Sequence, residues 1–229
     1  MDYSTSCKYS IKLIEKLKLL DTENKLDFKL INKAIYYAKK YHGTQKRESE
    51  EPYYSHPLEV AYMVSDYLFR TDIIITSILH DTIEDTDLTF EMIQTEFGSL
   101  VASQVSDLSR IKVAGKKISS AELVKSLWLQ KKYDQLLIKL FDRLHNVLTI
   151  HARSPEKQKK VITETLVEFL PIAAHFSLFQ VESTIGAVCS DVISKYCCVE
   201  SKVEFMSKED FQPLSLVFRN VAAPTQNQD

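Results

Sequence analysis

The stretch Ile73-Ile74-Ile75-Thr76-Ser77-Ile78-Leu79-His80-Asp81-Thr82-Ile83-Glu84-Asp85-Thr86 decides how this chain reads. An oily helical run passes directly into the ionisable side chains of His80, Asp81, Glu84 and Asp85. Burial heavily penalises unpaired charge, so something must neutralise this group. A divalent cation is the simplest candidate, and it points to a hydrolase. With residues 71–85 taken as one helix at about 100° per residue, His80 and Glu84 share a face, Asp81 and Asp85 share the neighbouring one, and all four span about 140°.

Outward from that stretch, apolar residues recur at helical spacing along nearly the whole chain. Ile11, Ile14, Leu17 and Leu20 mark a first helix, and Leu30, Ile31, Ala34, Ile35 and Ala38 a second that Gly43 ends. Gln45 to Tyr54 reads as a charged loop. Ser55 as N-cap and Pro57 in the first turn start a helix through Leu68. Thr89 caps a helix reaching Gly98, Leu100 to Leu108 follows, and further helices are expected near 121–132, 134–150, 156–170 and 180–196. Arg110 to Ser120 is the best candidate for a mobile loop.

Composition agrees with packed helices. The chain has 229 residues, 45% of them hydrophobic, with only 4 Gly and 6 Pro. That is enough for one sizeable core and too few turn formers for an all-β protein. The net charge of −2 excludes a global attraction to nucleic acid or an anionic membrane. Cys7, Cys189, Cys197 and Cys198 form neither a metal knuckle nor a disulfide framework, and the polar N-terminus is unlike a signal peptide. A soluble cytoplasmic protein is expected. We read residues 1–200 as one domain and 201–229 as a partly frayed extension.

A second polar cluster sits on Lys139-Leu140-Phe141-Asp142-Arg143-Leu144-His145-Asn146. Asp142, His145, Asn146 and Thr149 share one face, with Leu137, Leu140, Phe141, Leu144, Val147 and Leu148 opposite. A polar face so poor in long charged side chains suggests a pocket lining. His56, at a helix start, completes two imidazoles and two carboxylates with His80, Asp81 and Asp142. This nitrogen and oxygen set suits manganese, iron, magnesium or zinc with open positions, not a closed structural zinc site. His145 reads as structural or as support for a ligand. The bland readings are solvated lysines at Lys112, Lys116 and Lys117, a dipole-favoured helix end at His42, and ring packing at Tyr53 and Tyr54.

These residues, in order, resemble the hydrolase domain of RelA/SpoT homologues within the HD-domain metal phosphohydrolases. The resemblance rests on His42-x-x-Gln45-x-Arg47, Glu51-Pro52-Tyr53-x-x-His56-Pro57, Leu79-His80-Asp81-Thr82-x-Glu84-Asp85-Thr86, Phe97-Gly98 and Lys139-Leu140-x-Asp142-Arg143-Leu144-His145-Asn146-x-x-Thr149. Glu164-Thr165-Leu166 and Pro171-x-Ala173 extend it, so that it covers roughly residues 27 to 180. The resemblance implies an all-α HD-domain helical bundle holding one manganese ion (Mn2+) through His56, His80, Asp81 and Asp142. It implies removal of the 3′-pyrophosphate from ppGpp or pppGpp, a small nucleotide substrate. Glu84 and Asp85 would then act on the water and leaving group, Arg47 would pack on the guanine, and Asn146 and Thr149 would contact the nucleotide. A stand-alone hydrolase is expected, since no motif for a nucleotide-synthetase domain is found.

The pattern is not uniform. The family's usual Arg-Lys-Ser-Gly-Glu-Pro reads Arg47-Glu48-Ser49-Glu50-Glu51-Pro52 here. Two acids replace a basic residue and a glycine beside the expected polyanion site. Near the third motif, Asn-Met-Arg-Thr becomes Asn146-Val147-Leu148-Thr149. The alternatives are a phosphatase for another phosphorylated nucleotide, such as NADPH, or a non-catalytic nucleotide-binding regulator on the same scaffold.

Overall fold

The computed structural model describes residues 6–110 and 117–199. The expected loop positions Lys112 and Lys116, and the extension after residue 200, lie outside them. Among the described residues the chain is helical, with an isolated bridge between Lys46 and Pro52 and no strand. No helix among them is long and apolar enough to cross a membrane. The chain divides into two compact units, Met1–His145 and Asn146–Asp229.

The first unit is built around α4 (Thr71–Leu79), in which every residue from Ile73 to Leu79 is buried. A helix apolar on all sides must be surrounded. Its neighbours are α2 (Phe28–His42), α3 (Ser55–Val64) and α7 (Ser99–Leu108), while α1 (Lys8–Leu20) packs on α3. On α2, Ile31, Ala34, Ile35, Ala38 and His42 make one buried stripe, and Ala34 and Ala38 let α4 approach closely. Asp27 caps α2 by accepting from the Leu30 amide at 2.9 Å. The buried polar atoms of α4 are satisfied locally: Thr76 donates to Gln104 at 2.6 Å, and Gln104 donates to Asp72 at 3.0 Å.

α4 ends two residues short of the helix over 71–81 that the sequence suggests, and well inside the 71–85 run taken as helical to place the four ionisable side chains. The chain stops at Leu79 and resumes as the short α5 (Thr82–Asp85). Side chains take the carbonyls that the helical ladder gives up: His80 Nδ1 bonds Ser77 O at 2.7 Å, and Thr82 Oγ1 donates to Leu79 O at 2.6 Å. The break therefore falls on His80-Asp81 itself.

Three further elements follow, namely α6 (Phe90–Phe97), α8 (Ser120–Leu129) and α9 (Tyr133–Leu148). Thr89 caps α6, as expected, and Gly98 at φ 89° turns the chain into α7. Other boundaries shift. Ser55 lies inside α3, whose N-cap is Tyr54, and α3 stops at Val64 rather than Leu68. On α1 the buried pair is Leu13 and Leu17, whereas Ile11 and Leu20 are exposed. Leu148 on α9 is also exposed.

The second unit contains a 3-10 turn at Ile150–Ala152 and α10 (Pro155–Glu164), which Pro155 starts at a position where a missing amide costs nothing. A π-helical turn over Thr165–Phe169 leads to α11 (Leu170–His175) and α12 (Phe179–Val199). Pro171 cannot donate to the ladder, and the expected single helix over 156–170 becomes two helices joined by that turn.

Candidate metal centre

Three helices deliver the ligand candidates. His56 lies in the first turn of α3, His80 at the C-terminal end of α4, and Asp142 in the middle of α9. One ligand atom from each lies within 4.8 Å of the others, and all three residues are buried. His56 Nε2 is 3.0 Å from Asp142 Oδ1 and 3.6 Å from Asp81 Oδ2. His80 Nε2 is 3.1 Å from Asp81 Oδ1 and 3.9 Å from Asp142 Oδ1. The structure thus brings His56, His80 and Asp142 into one set that could hold a metal ion, with the Asp81 carboxylate beside both imidazoles but outside that set.

The donor chemistry fits a cation. His80 donates through Nδ1 to the Ser77 carbonyl, which leaves its lone pair on Nε2. That Nε2 is buried with no hydrogen-bond partner, and it faces carboxylate oxygens. Lone pairs converging in a dry space repel one another unless positive charge sits among them. Burial lowers the His80 pKa, but the Asp81 carboxylate outweighs it and raises it overall. Burial pushes the Asp81 and Asp142 carboxyls up, while His80 beside Asp81, and Lys139 with His56 beside Asp142, hold both below the usual range. A set of imidazoles and carboxylates without thiolate suits a divalent ion that keeps open positions.

Supporting residues surround this set. Lys139 Nζ donates to Asp142 Oδ2 at 2.6 Å, so that Oδ1 is the oxygen presented to the cluster. His145 Nδ1 lies 2.9 Å from His56 Nδ1, the contact that its reading as support for His56 calls for. Burial first, and His56 second, lower the His145 pKa to about 3.

Glu84 and Asp85 have opposite environments. Glu84 accepts from Arg110 Nη2 at 2.6 Å and from the Arg110 amide at 3.1 Å, and Lys117 Nζ lies 2.9 Å away. Burial would raise its pKa, but Arg110 and Lys117 lower it overall. Asp85 goes the other way: burial and the Asp81 charge raise it, against a hydrogen bond from Tyr53. Two neighbouring carboxylates with separated proton affinities are the usual arrangement for divided acid and base work.

Several side chains differ from their expected roles. Lys117 is exposed, as expected, but also pairs with Glu84. His42 is buried, bonded to Gln45 and made less basic by burial, so it is not a cation on the helix dipole. Tyr53 Oη donates to Asp85 at 2.8 Å, a contact absent from the packing reading. The signal for Lys139 was present in its i, i+3 spacing from Asp142; nothing local marks Arg110, because its partner is 26 residues away.

Arg47 is half-buried in a turn whose amide bonds Glu51 O at 2.9 Å. Of the two acids that depart from the family pattern, Glu50 pairs with Lys46 at 3.0 Å; the neighbouring Glu51, which matches the pattern, accepts from Tyr9. Asn146 and Thr149 belong to the second unit, where Asn146 Oδ1 accepts from Arg153 at 3.0 Å.

Comparison with known proteins agrees with this picture. Residues 34–176 match the model of the HD domain family. The chain is 35% identical over 198 residues to the guanosine-3′,5′-bis(diphosphate) 3′-pyrophosphohydrolase of Aquifex aeolicus, covering 85% of this chain and 28% of that protein. It is 39% identical over 154 residues to the GTP pyrophosphokinase rsh of Brucella ovis, covering 65% of this chain and 20% of the relative. The chain thus spans a quarter or so of these relatives' length. A solved structure described as "A metazoan ortholog of SpoT hydrolyzes ppGpp and plays a role in starvation responses" superposes with a TM-score of 0.54 at 20% identity, covering 73% of this chain and 95% of that one, a likeness of fold. With the family match laid over the helices that carry His56, His80, Asp81 and Asp142, this chain belongs to the HD domain family.

Proposed function

We propose that this chain hydrolyses the 3′-pyrophosphate of ppGpp or pppGpp, giving GDP or GTP and pyrophosphate, with one Mn2+ held by His56, His80, Asp81 and Asp142. The observation that carries this reading is the buried, unpartnered His80 Nε2 facing two carboxylates, next to a second pair, Glu84 and Asp85, with divergent proton affinity. The relatives named for this hydrolysis support the choice of substrate.

When bound, a divalent cation supplies Lewis acidity toward water and phosphate oxygens. The remaining work falls to the chain's own side chains. Asp85, whose carboxyl is raised and held by Tyr53, is placed to accept or return a proton at its carboxylate oxygens. Glu84, paired with Arg110 and Lys117, is the second carboxylate acting on the water and leaving group. Lys139 keeps Asp142 Oδ1 directed inward. Arg47, Asn146 and Thr149 serve as nucleotide contacts, as the resemblance implies. We further read residues 1–200 as one hydrolase domain and 201–229 as its extension. The unpaired thiols of Cys7 and Cys189 support a cytoplasmic setting.

The acids Glu48 and Glu50 keep a second phosphorylated nucleotide, such as NADPH, in view as the substrate. Purified chain with Mn2+ is offered ppGpp, pppGpp, GTP and NADPH, and products are resolved by ion-exchange chromatography. The proposal expects GDP and pyrophosphate from ppGpp. Free phosphate from NADPH with ppGpp untouched would replace this substrate by the other.

A further inference from the structure

Asp85 is the last residue of a four-residue helix, too short to hold a side chain through its own ladder. Two residues from the segment before α3 hold it instead. Gln45 Nε2 donates to the Asp85 carbonyl at 2.9 Å, and Tyr53 Oη donates to Asp85 Oδ2 at 2.8 Å. The Tyr53 amide donates to the Gln45 carbonyl at 2.9 Å, so the two bonds to Asp85 share one rigid base. Tyr53 Oη also lies 3.4 Å from Asp81 Oδ2, but a phenol has one hydrogen and the nearer oxygen belongs to Asp85.

His42 locks both. Its ring stacks on Tyr53 at 4.7 Å and 26°, and its Nδ1 is 2.9 Å from Gln45 Oε1. The Gln45 amide nitrogen is committed to Asp85, so Oε1 accepts and His42 Nδ1 donates. That choice leaves the His42 lone pair on Nε2, which is buried without a partner in a residue only 1% exposed. An orphaned buried acceptor is destabilising and calls for a reason. The reason is that the opposite edge and the face of the ring are both in use.

We propose that Tyr53 is a positioning residue for the reaction, holding the Asp85 carboxylate in one orientation on a base made by Gln45 and His42. The inference rests on Asp85 as the proton-carrying carboxylate of the proposed hydrolysis. Steady-state turnover of ppGpp with Mn2+ is compared for the wild type, Tyr53→Phe and Gln45→Ala, with Mn2+ affinity measured in parallel. Phenylalanine keeps the ring on His42 and removes only the donor, so a role in packing alone leaves turnover unchanged. Both variants are expected to lose about 10- to 100-fold in kcat, with KM and Mn2+ affinity within about twofold of wild type. Unchanged kcat in an active Tyr53→Phe protein would overturn the inference alone. A kcat loss matched by lost Mn2+ affinity would also overturn it, by assigning Tyr53 to Asp81. A wild type that releases no pyrophosphate would overturn the proposed function and this inference with it.

Discussion

His56 and His145 bring their Nδ1 atoms to 2.9 Å, and only one proton fits between two ring nitrogens at that distance. For His56 to present its Nε2 lone pair to the cluster, its own proton must be on Nδ1, with His145 as acceptor. His145 thereby sets the tautomer of a ligand it touches. Removal of such a support typically costs about 10- to 100-fold in metal affinity, so His145→Leu is expected to weaken Mn2+ binding by that much while His145→Gln, which keeps an acceptor oxygen, retains most of it. Competition titrations against a fluorescent chelator check the pair; equal affinity in the Leu variant would remove His145 from the site. Of these residue-level features, the ligand candidates were legible because metal binding demands particular side chains at particular spacings. Arg110 and Tyr53 were not, because their partners are set by how α5 lies against distant segments.

At the scale of elements, the turn Arg47–Glu50 shows how a departure from family pattern is absorbed. Glu50 has φ 65°, the left-handed region, at the position where the family usually carries glycine. A residue with a Cβ costs about 1–2 kcal/mol there, and the exposed Lys46 pair returns little of it. Glu50→Gly is therefore expected to stabilise the chain by about 1 kcal/mol, read as a rise in the urea midpoint with an unchanged slope.

The N-terminal end of α4 gives a pH-dependent case. Burial pushes the Asp72 carboxyl up, but hydrogen bonds from Arg70 and Gln104 win and lower it overall. A group depressed in the fold contributes stability above its unfolded pKa of about 3.9, and that contribution is lost as pH falls through the folded value. Asp72→Asn should thus cost about 1–2 kcal/mol at pH 7 and much less at pH 2 to 3, measured by denaturant melts across pH.

Helix identity was largely legible from periodicity, and caps such as Thr89 from local chemistry. The faces of α1 and the break at His80-Asp81 were not. Which stripe is buried depends on the neighbouring helix, and the break depends on side chains competing for ladder carbonyls.

For the whole molecule, the metal centre is also a folding problem. Lys139 is the buried lysine that donates to Asp142 within a cluster of like charges. Breaking a buried pair by removing one partner costs about 3–5 kcal/mol, so Lys139→Met should destabilise the metal-free chain by that order. Excess Mn2+ should restore part of the loss, because a ligand of the folded state stabilises it by mass action. Thermal melts with and without the ion test this coupling, and a Lys139→Met melt that Mn2+ does not move would count against it.

The central claim is that one divalent ion is held by His56, His80, Asp81 and Asp142. Its most direct test is Mn2+ stoichiometry, read from the free-ion electron paramagnetic resonance signal, on wild type, His80→Ala and Asp142→Ala of unchanged helical content. The account predicts one tightly held ion per wild-type chain and its loss in both variants. Wild-type chain that binds none, or variants that bind as the wild type does, would contradict it.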